Sequence, residues 1–202
     1  MPKFNENLIK KKKTDKNKIK KVLLAYTSTF KRFGKKNDTI LEKQFLDIVK
    51  VLSEIPNIKV YIKVHPSRNN PHYRIILNKF DKNVFLETNT NLKDLALKSD
   101  LLITNLDSSA ILDGLLAKIP SIEFWRVLRE VNRYPFSFFS RNKLSKLCKN
   151  KKQLKKYILL GLKKPNDIFW KKKYLNFKKI YQPKKINYNS LIHRLIKYEK
   201  LN

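Results

Sequence analysis

The feature that most constrains the fold of this chain is an alternation of short apolar runs with longer segments of helical period. The apolar runs are "KVLLAYTS", "IKVYIKV", "NVFLE", "LLIT" and "PSIEF". Between the first two lies "TILEKQFLDIVKVLSEI", where Ile40, Leu41, Phe45, Ile48, Val49 and Leu52 recur at helical spacing behind Asp38, the expected N-cap. "NPHYRIILNKF", "NLKDLALKS" and "SSAILDGLLAK" read as the helices of the remaining intervals. No hairpin signal joins neighbouring runs, and strands connected by helices must run parallel. The expected class is α/β, an open, doubly wound parallel sheet carrying helices on both faces.

The alternation covers 21–125 and loosens after that. Residues 1–20, "MPKFNENLIKKKKTDKNKIK", read as a basic, disordered leader. Residues 126–202 read as a loop and a C-terminal helical segment completing the domain. "LSKLCKNKKQLKKYILLGL" is expected to be helical to about Gly161, and "NSLIHRLIKYEKL" to be a last amphipathic helix with Leu191, Ile192, Leu195 and Ile196 on one face, capped by Asn189 or Ser190. A length of 202 residues with 42% apolar and 11% aromatic residues suffices for one domain with a real core.

Charge narrows the partners without choosing among them. Forty-seven Lys and Arg against sixteen Asp and Glu leave a formal net charge of +31, which suits an anionic partner: nucleic acid, anionic lipid or a phosphorylated small molecule. One cysteine, Cys148, excludes an internal disulfide, and three scattered histidines argue against a metal centre. A reducing, cytoplasmic setting is expected. No segment approaches the roughly 20 apolar residues of a spanning helix.

In an open parallel sheet ligands bind at the carboxyl ends of the strands, so three loops matter. After "LLAY" come Thr27, Ser28, Thr29 and Gly34, a hydroxylic loop that matches neither a Walker loop nor a Gly-x-Gly-x-x-Gly fingerprint. No Gly-x-Ser-x-Gly elbow occurs either, which counts against a hydrolase triad. After "YIKV" comes "KVHPSRNNPHYR", with Lys63, His65 and Arg68 around Pro66. An imidazole held before a proline is restricted in its backbone and suits phosphate binding or protonation of a leaving phosphate. The plainer alternative is a strand-end histidine beside a solvent-facing lysine, and His72 reads as surface. After "LLIT" come Asn105, Asp107, Ser108 and Ser109. Two hydroxyls beginning a helix make a phosphate cradle, or one of them is only an N-cap. Asp113 lies a turn further along a helix with little polar surface, and its carboxylate suits a ribose hydroxyl, a backbone group or a lysine. Gly114 beside it permits close packing or ligand approach.

"KVHP" followed by "SDLLITNLDSSAILDGLLAKIPSIEF" resembles the C-terminal, donor-binding half of GT-B glycosyltransferases of the surface-polysaccharide type: capsule synthesis proteins, CDP-glycerol glycerophosphotransferases, and bacterial sialyl- and Kdo-transferases with His-Pro and Ser-Ser motifs. The resemblance covers roughly 21–125. It implies a Rossmann-like sheet that binds a nucleotide-activated sugar or polyol of the CMP, CDP or UDP type, for synthesis of a cell-surface polysaccharide. It also implies that His65, the catalytic candidate, faces the donor phosphates with Lys63 and Pro66, and that Ser108 and Ser109 hold a phosphate. Asp113 stands where many relatives carry a ribose-contacting glutamate; aspartate is a methylene shorter. Thr27, Ser28 and Asn105 complete the expected binding set. No Asp-x-Asp occurs, so neither a metal nor another cofactor is invoked.

A complete GT-B enzyme has two such domains, the N-terminal one holding the acceptor. The expectation is therefore a fragment, a subunit paired with a separate acceptor-binding chain, or a nucleotide-binding domain without transferase activity. Two other functions compete. A nucleic-acid-binding protein would use lysines interleaved with aromatics, as in "FWKKKYLNFKKIYQPKK", although no RRM, KH or helix-turn-helix signature is present. A UDP-sugar 2-epimerase shares the fold, but its Ser-Gly-Gly is here Ser108, Ser109 and Ala110. Lysines of the C-terminal third also suit peripheral docking on an anionic membrane face.

Overall fold

A computed structural model of the chain describes residues 19–26, 35–64, 77–78, 80, 83–87, 89–105, 108–124 and 137–164, with the backbone alone for 35–40. Six strands form one sheet: β1 (Lys20–Tyr26), β2 (Ile58–Val64), β3 (Val84–Leu86), β4 (Leu101–Asn105), β5 (Ser121–Phe124) and β6 (Lys146–Cys148). The helices are α1 (Lys35–Ser53), α2 (Leu92–Lys98), α3 (Ala110–Leu116), α4 (Phe138–Arg141) and α5 (Lys151–Lys163). The strand order is β3-β2-β1-β4-β5-β6 and every pairing is parallel. This is the doubly wound arrangement in which the direction of winding reverses between β1 and β4.

Burial follows from that order. The central strands β4 and β5 are buried at every position and β1 at its last five, as expected when helices cover both faces; β2 alternates, and the edge strand β3 has no buried residue. Register assigns the faces. Val22, Leu24, Val60, Ile62, Leu101, Ile103, Ile122 and Phe124 pack with Phe45, Ile48, Val49 and Leu52 of α1 and with Leu154 and Ile158 of α5 in the larger core. Leu23, Ala25 and Leu102 face the other way, against Leu95 and Ala96 of α2 and Ala110 of α3. Ile111 and Leu115 of α3 enclose Phe139 and Leu144 in a small third cluster that seats α4.

The local signals are legible where they survive. Asn91 Oδ1 accepts from the Asp94 backbone N–H at 2.8 Å, while its Nδ2 donates to the Asp94 carboxylate at 2.7 Å, so cap and first turn hold each other at the start of α2. Asn150 Oδ1 accepts from Gln153 N–H at 2.9 Å to start α5. Two glycines mark close approaches. A Cβ on Gly114 would lie 2.5 Å from Ser121 Oγ and 2.7 Å from Leu102 Cδ2, and one on Gly161 would lie 2.6 Å from Leu101 Cδ1. Gly114 therefore serves packing: only a glycine lets α3 lie this close to β4 and β5.

The structure corrects three boundaries. α1 starts at Lys35, so Asp38 lies inside the helix rather than at its cap. The region expected to be helical from 144 onward contains β6, which pairs with β5 through Ile122 and Lys146, Glu123 and Leu147, and Phe124 and Cys148. The following helix runs to Lys163, beyond Gly161. Residues 1–18, most of "NPHYRIILNKF", 125–136 and the expected last helix lie outside the described residues. Cys148 is a free, buried thiol.

Candidate functional site

In an open parallel sheet a winding reversal is where a ligand crevice forms at the carboxyl edge; here α1 and α3, the helices that follow β1 and β4, pack on opposite faces of the sheet. The last residues of the central strands lie at this edge. Tyr26 ends β1 fully enclosed: its hydroxyl donates to Leu41 O at 2.5 Å and its ring meets Phe45 edge-on at 5.0 Å. The end of β1 is thereby tied to the middle of α1, across the connection that leads from one to the other.

Register builds a polar row on the α2/α3 face of this edge. Ala25 pairs with Lys63 of β2 on one side and with Thr104 of β4 on the other, and Thr104 pairs with Glu123 of β5. Paired residues in parallel strands share a face, so Lys63, Thr104 and Glu123 line up across the sheet with only the small Ala25 between. Thr104 is fully buried and its Oγ1 has no hydrogen-bond partner, an uncommon condition for a buried hydroxyl. Glu123 is also fully buried. Ser137 Oγ donates to its two oxygens at 2.7 and 2.6 Å, and Ser145 Oγ donates to one of them at 2.5 Å. The same Ser137 Oγ accepts from the N–H groups of Phe139 and Ser140 at 3.1 and 3.2 Å, capping α4. The carboxylate thus anchors the chain where it returns from the segment after β5.

The expected site residues are distributed over this edge. Lys63 is half-buried near the end of β2. Asn105 ends β4, fully buried, and by alternation it faces the α1/α5 side, with Tyr26 and Phe124, opposite to Lys63. Ser108 is half-buried and its Oγ accepts from Ala110 N–H at 3.3 Å, so it takes the weak capping role. Ser109 already has helical backbone angles, makes no side-chain cap bond and is exposed. Asp113 is half-buried on α3. Burial holds its carboxyl above the usual aspartate range, with Lys93 of α2 acting in the opposite sense. Thr27, Ser28, His65, Pro66 and Asp107 lie outside the described residues, as do Arg68, His72 and Gly34.

Two members of the polar row were not singled out from sequence, Thr104 and Glu123. Polar letters do stand in both apolar strands, Thr104 beside Asn105 in "LLITN" and Glu123 with Ser121 in "SIEF", but the sequence does not say which of them share a face across the sheet. Among the described residues no group of three or more His, Cys, Asp or Glu could hold a metal ion, and no helix is long and apolar enough to cross a membrane.

Neither a protein-family model nor a curated protein matches the chain by sequence. Solved structures match it by shape. The spinosyn rhamnosyltransferase SpnG complexed with thymidine diphosphate superposes with a TM-score of 0.56 at 14% identity, over 79% of this chain and 42% of that one. The glycosyltransferase SnogD from Streptomyces nogalater gives 0.52 at 12% identity, over 79% and 38%. A structure from Listeria monocytogenes assigned as a UDP-N-acetylglucosamine 2-epimerase gives 0.50 at 15% identity, over 82% and 43%. The chain thus spans less than half the length of each of these proteins. Six parallel strands in this order, with helices on both faces and this set of structural neighbours, give the chain the fold of one Rossmann-like half of a GT-B glycosyltransferase.

Proposed function

We propose that this chain is the donor-binding half of a metal-independent glycosyltransferase or glycerophosphotransferase. It takes a nucleotide-activated sugar or polyol, of the CMP, CDP or UDP type, for synthesis of a cell-surface polysaccharide. The observation that carries the reading is the winding reversal between β1 and β4, with α3 starting directly beyond the buried end of β4. The thymidine diphosphate in SpnG supports it by fold likeness, and the net charge of +31 favours a polyanionic ligand.

In this reading Lys63 and His65 meet the donor phosphates, with Pro66 setting the turn. Ser108 and the exposed Ser109 donate hydroxyls to a phosphate, and Asp113 accepts from a ribose hydroxyl. Thr27, Ser28 and Asn105 line the same edge. During transfer from a sugar donor the anomeric C–O bond to the leaving phosphate breaks as the acceptor oxygen bonds the anomeric carbon; from a CDP-polyol the phosphoanhydride P–O bond to the leaving CMP breaks as the acceptor oxygen bonds the phosphorus of the polyol phosphate. The electron pair of the broken bond stays on the phosphate oxygen, where the Lys63 ammonium and a proton from His65 neutralise it. The acceptor's proton leaves to a base on an acceptor-binding domain or subunit. The epimerase reading shares the nucleotide site and is favoured only by the Listeria structure; it needs no acceptor.

Calorimetry with CMP, CDP, UDP and TDP tests the proposal. The expected outcome is saturable binding of at least one nucleotide, weakened about tenfold by His65→Ala and by Ser108→Ala, the loss of one charge-assisted hydrogen bond in each case. Binding of none of the four, or affinity unchanged in both variants, overturns it.

A further inference from the structure

The lysines of α5 fall into two populations. Lys151 pairs with Asp47 at 3.5 Å and Lys155 with Glu54 at 2.8 Å, both directed at the α1 side. Among the described residues Lys152, Lys156, Lys163 and Lys164 have no carboxylate partner. At about 100° per residue, Lys152, Lys156 and Lys163 fall within about 40° of one another, on the side opposite the buried Leu154, Ile158 and Gly161. Leu159 and Leu160 flank this stripe and are 47% and 37% exposed. A helix with exposed leucines on either side of a lysine stripe presents two kinds of chemistry at one surface.

We propose that the outward face of α5 is a docking surface for an anionic phospholipid bilayer. Unpaired lysines complement lipid phosphates, and the leucines gain by entering the boundary between headgroups and acyl chains while the lysine stems snorkel outward. The other occupants fit less well. A nucleic acid would use the lysines but gains little from two leucines, and the aromatic ring of α5 itself, Tyr157, is half-buried and already carries Lys146 Nζ at 4.8 Å. A protein partner would use the leucines, but lysine is depleted from the cores of protein interfaces. The bilayer alone uses both. This inference is independent of what the carboxyl edge binds.

The test is partition of the full 202-residue chain onto vesicles of equimolar phosphatidylglycerol and phosphatidylcholine, against pure phosphatidylcholine, at physiological salt. Expected is a preference for the anionic vesicles that falls about tenfold in Leu159→Ser/Leu160→Ser and about tenfold in Lys152→Gln/Lys156→Gln. A charge-matched pair on other exposed faces, Lys43→Gln/Lys98→Gln, is expected to change it far less. All substituted positions are exposed, and circular dichroism melts verify folding. Absence of partition, equal loss in the control pair, or unchanged partition in the leucine pair overturns the proposal. So does loss of single-stranded RNA binding in the α5 lysine pair with vesicle binding intact, which would assign the face to nucleic acid.

Discussion

Gly114 and Asp113 are neighbours on α3 and are constrained from opposite directions, one by contact and the other by solvation. Replacing Gly114 with alanine gains up to about 1 kcal/mol of helix propensity. It also drives a methyl group against Ser121 Oγ and Leu102 Cδ2, and Leu102 is fully enclosed, so it has no space into which to retreat. Overpacking wins, and Gly114→Ala is expected to destabilise by a net ~1–2 kcal/mol in urea unfolding. For Asp113 the folded state favours the protonated carboxyl. Its contribution to stability is therefore greatest below the usual aspartate range and is lost as pH rises through the raised value. Asp113→Asn, which cannot ionise, is expected to be more stable than the parent protein at neutral pH, with the two unfolding curves converging under acid. The same substitution is expected to weaken nucleotide binding, since a carboxylate accepts a ribose hydroxyl better than an amide does. A stability gain without loss of affinity would separate Asp113 from the ligand.

At the level of elements, the short helix α4 is held less by its own turns than by Glu123. Ser137 both caps α4 and donates to that buried carboxylate, whereas Ser145 makes only the second of these contacts in the hydrogen bonds described. Ser137→Ala is therefore expected to cost ~2 kcal/mol and Ser145→Ala ~1 kcal/mol, read from denaturant midpoints. The reverse ranking would remove the cap from the explanation. These elements also show where sequence pattern stops being informative. The five strands with runs of Val, Ile and Leu were legible because each is an apolar block between helical periods. β6 was not: "KLC" has a single aliphatic residue where the equally short β3 has "VFL", and its lysine reads as helix surface. Its identity as a strand comes from a free edge on β5, which only the assembled sheet possesses. Likewise the helix end behind "LDSS" was legible, but the row Lys63, Thr104 and Glu123 was not, because register between distant strands decides which polar residues meet.

For the whole molecule, the sheet order turns that register into a site and the net charge sets how a ligand reaches it. An excess of 31 positive charges raises the local concentration of a polyphosphate within about a Debye length of the surface, a reach that is longer at low salt than at physiological salt. Stopped-flow association of the nucleotide that binds is expected to slow severalfold between ~50 and ~200 mM salt, with the dissociation rate nearly constant. A dissociation rate that carried the salt dependence would mean that contacts, not steering, use the charge. The pairing of β1 with β4 has a further consequence, in the order in which the chain folds. Lys21 N–H donates to Asp100 across 79 residues of sequence, so this central pairing closes a far longer loop than β1 with β2 or β4 with β5. Until it forms, β1 and β4 are two open, apolar sheet edges, prone to pair with other chains. Pulse-labelled hydrogen exchange should protect β2 and β5 amides before those that bridge β1 and β4, and the seam that makes the crevice is then also the last seam to seal during synthesis.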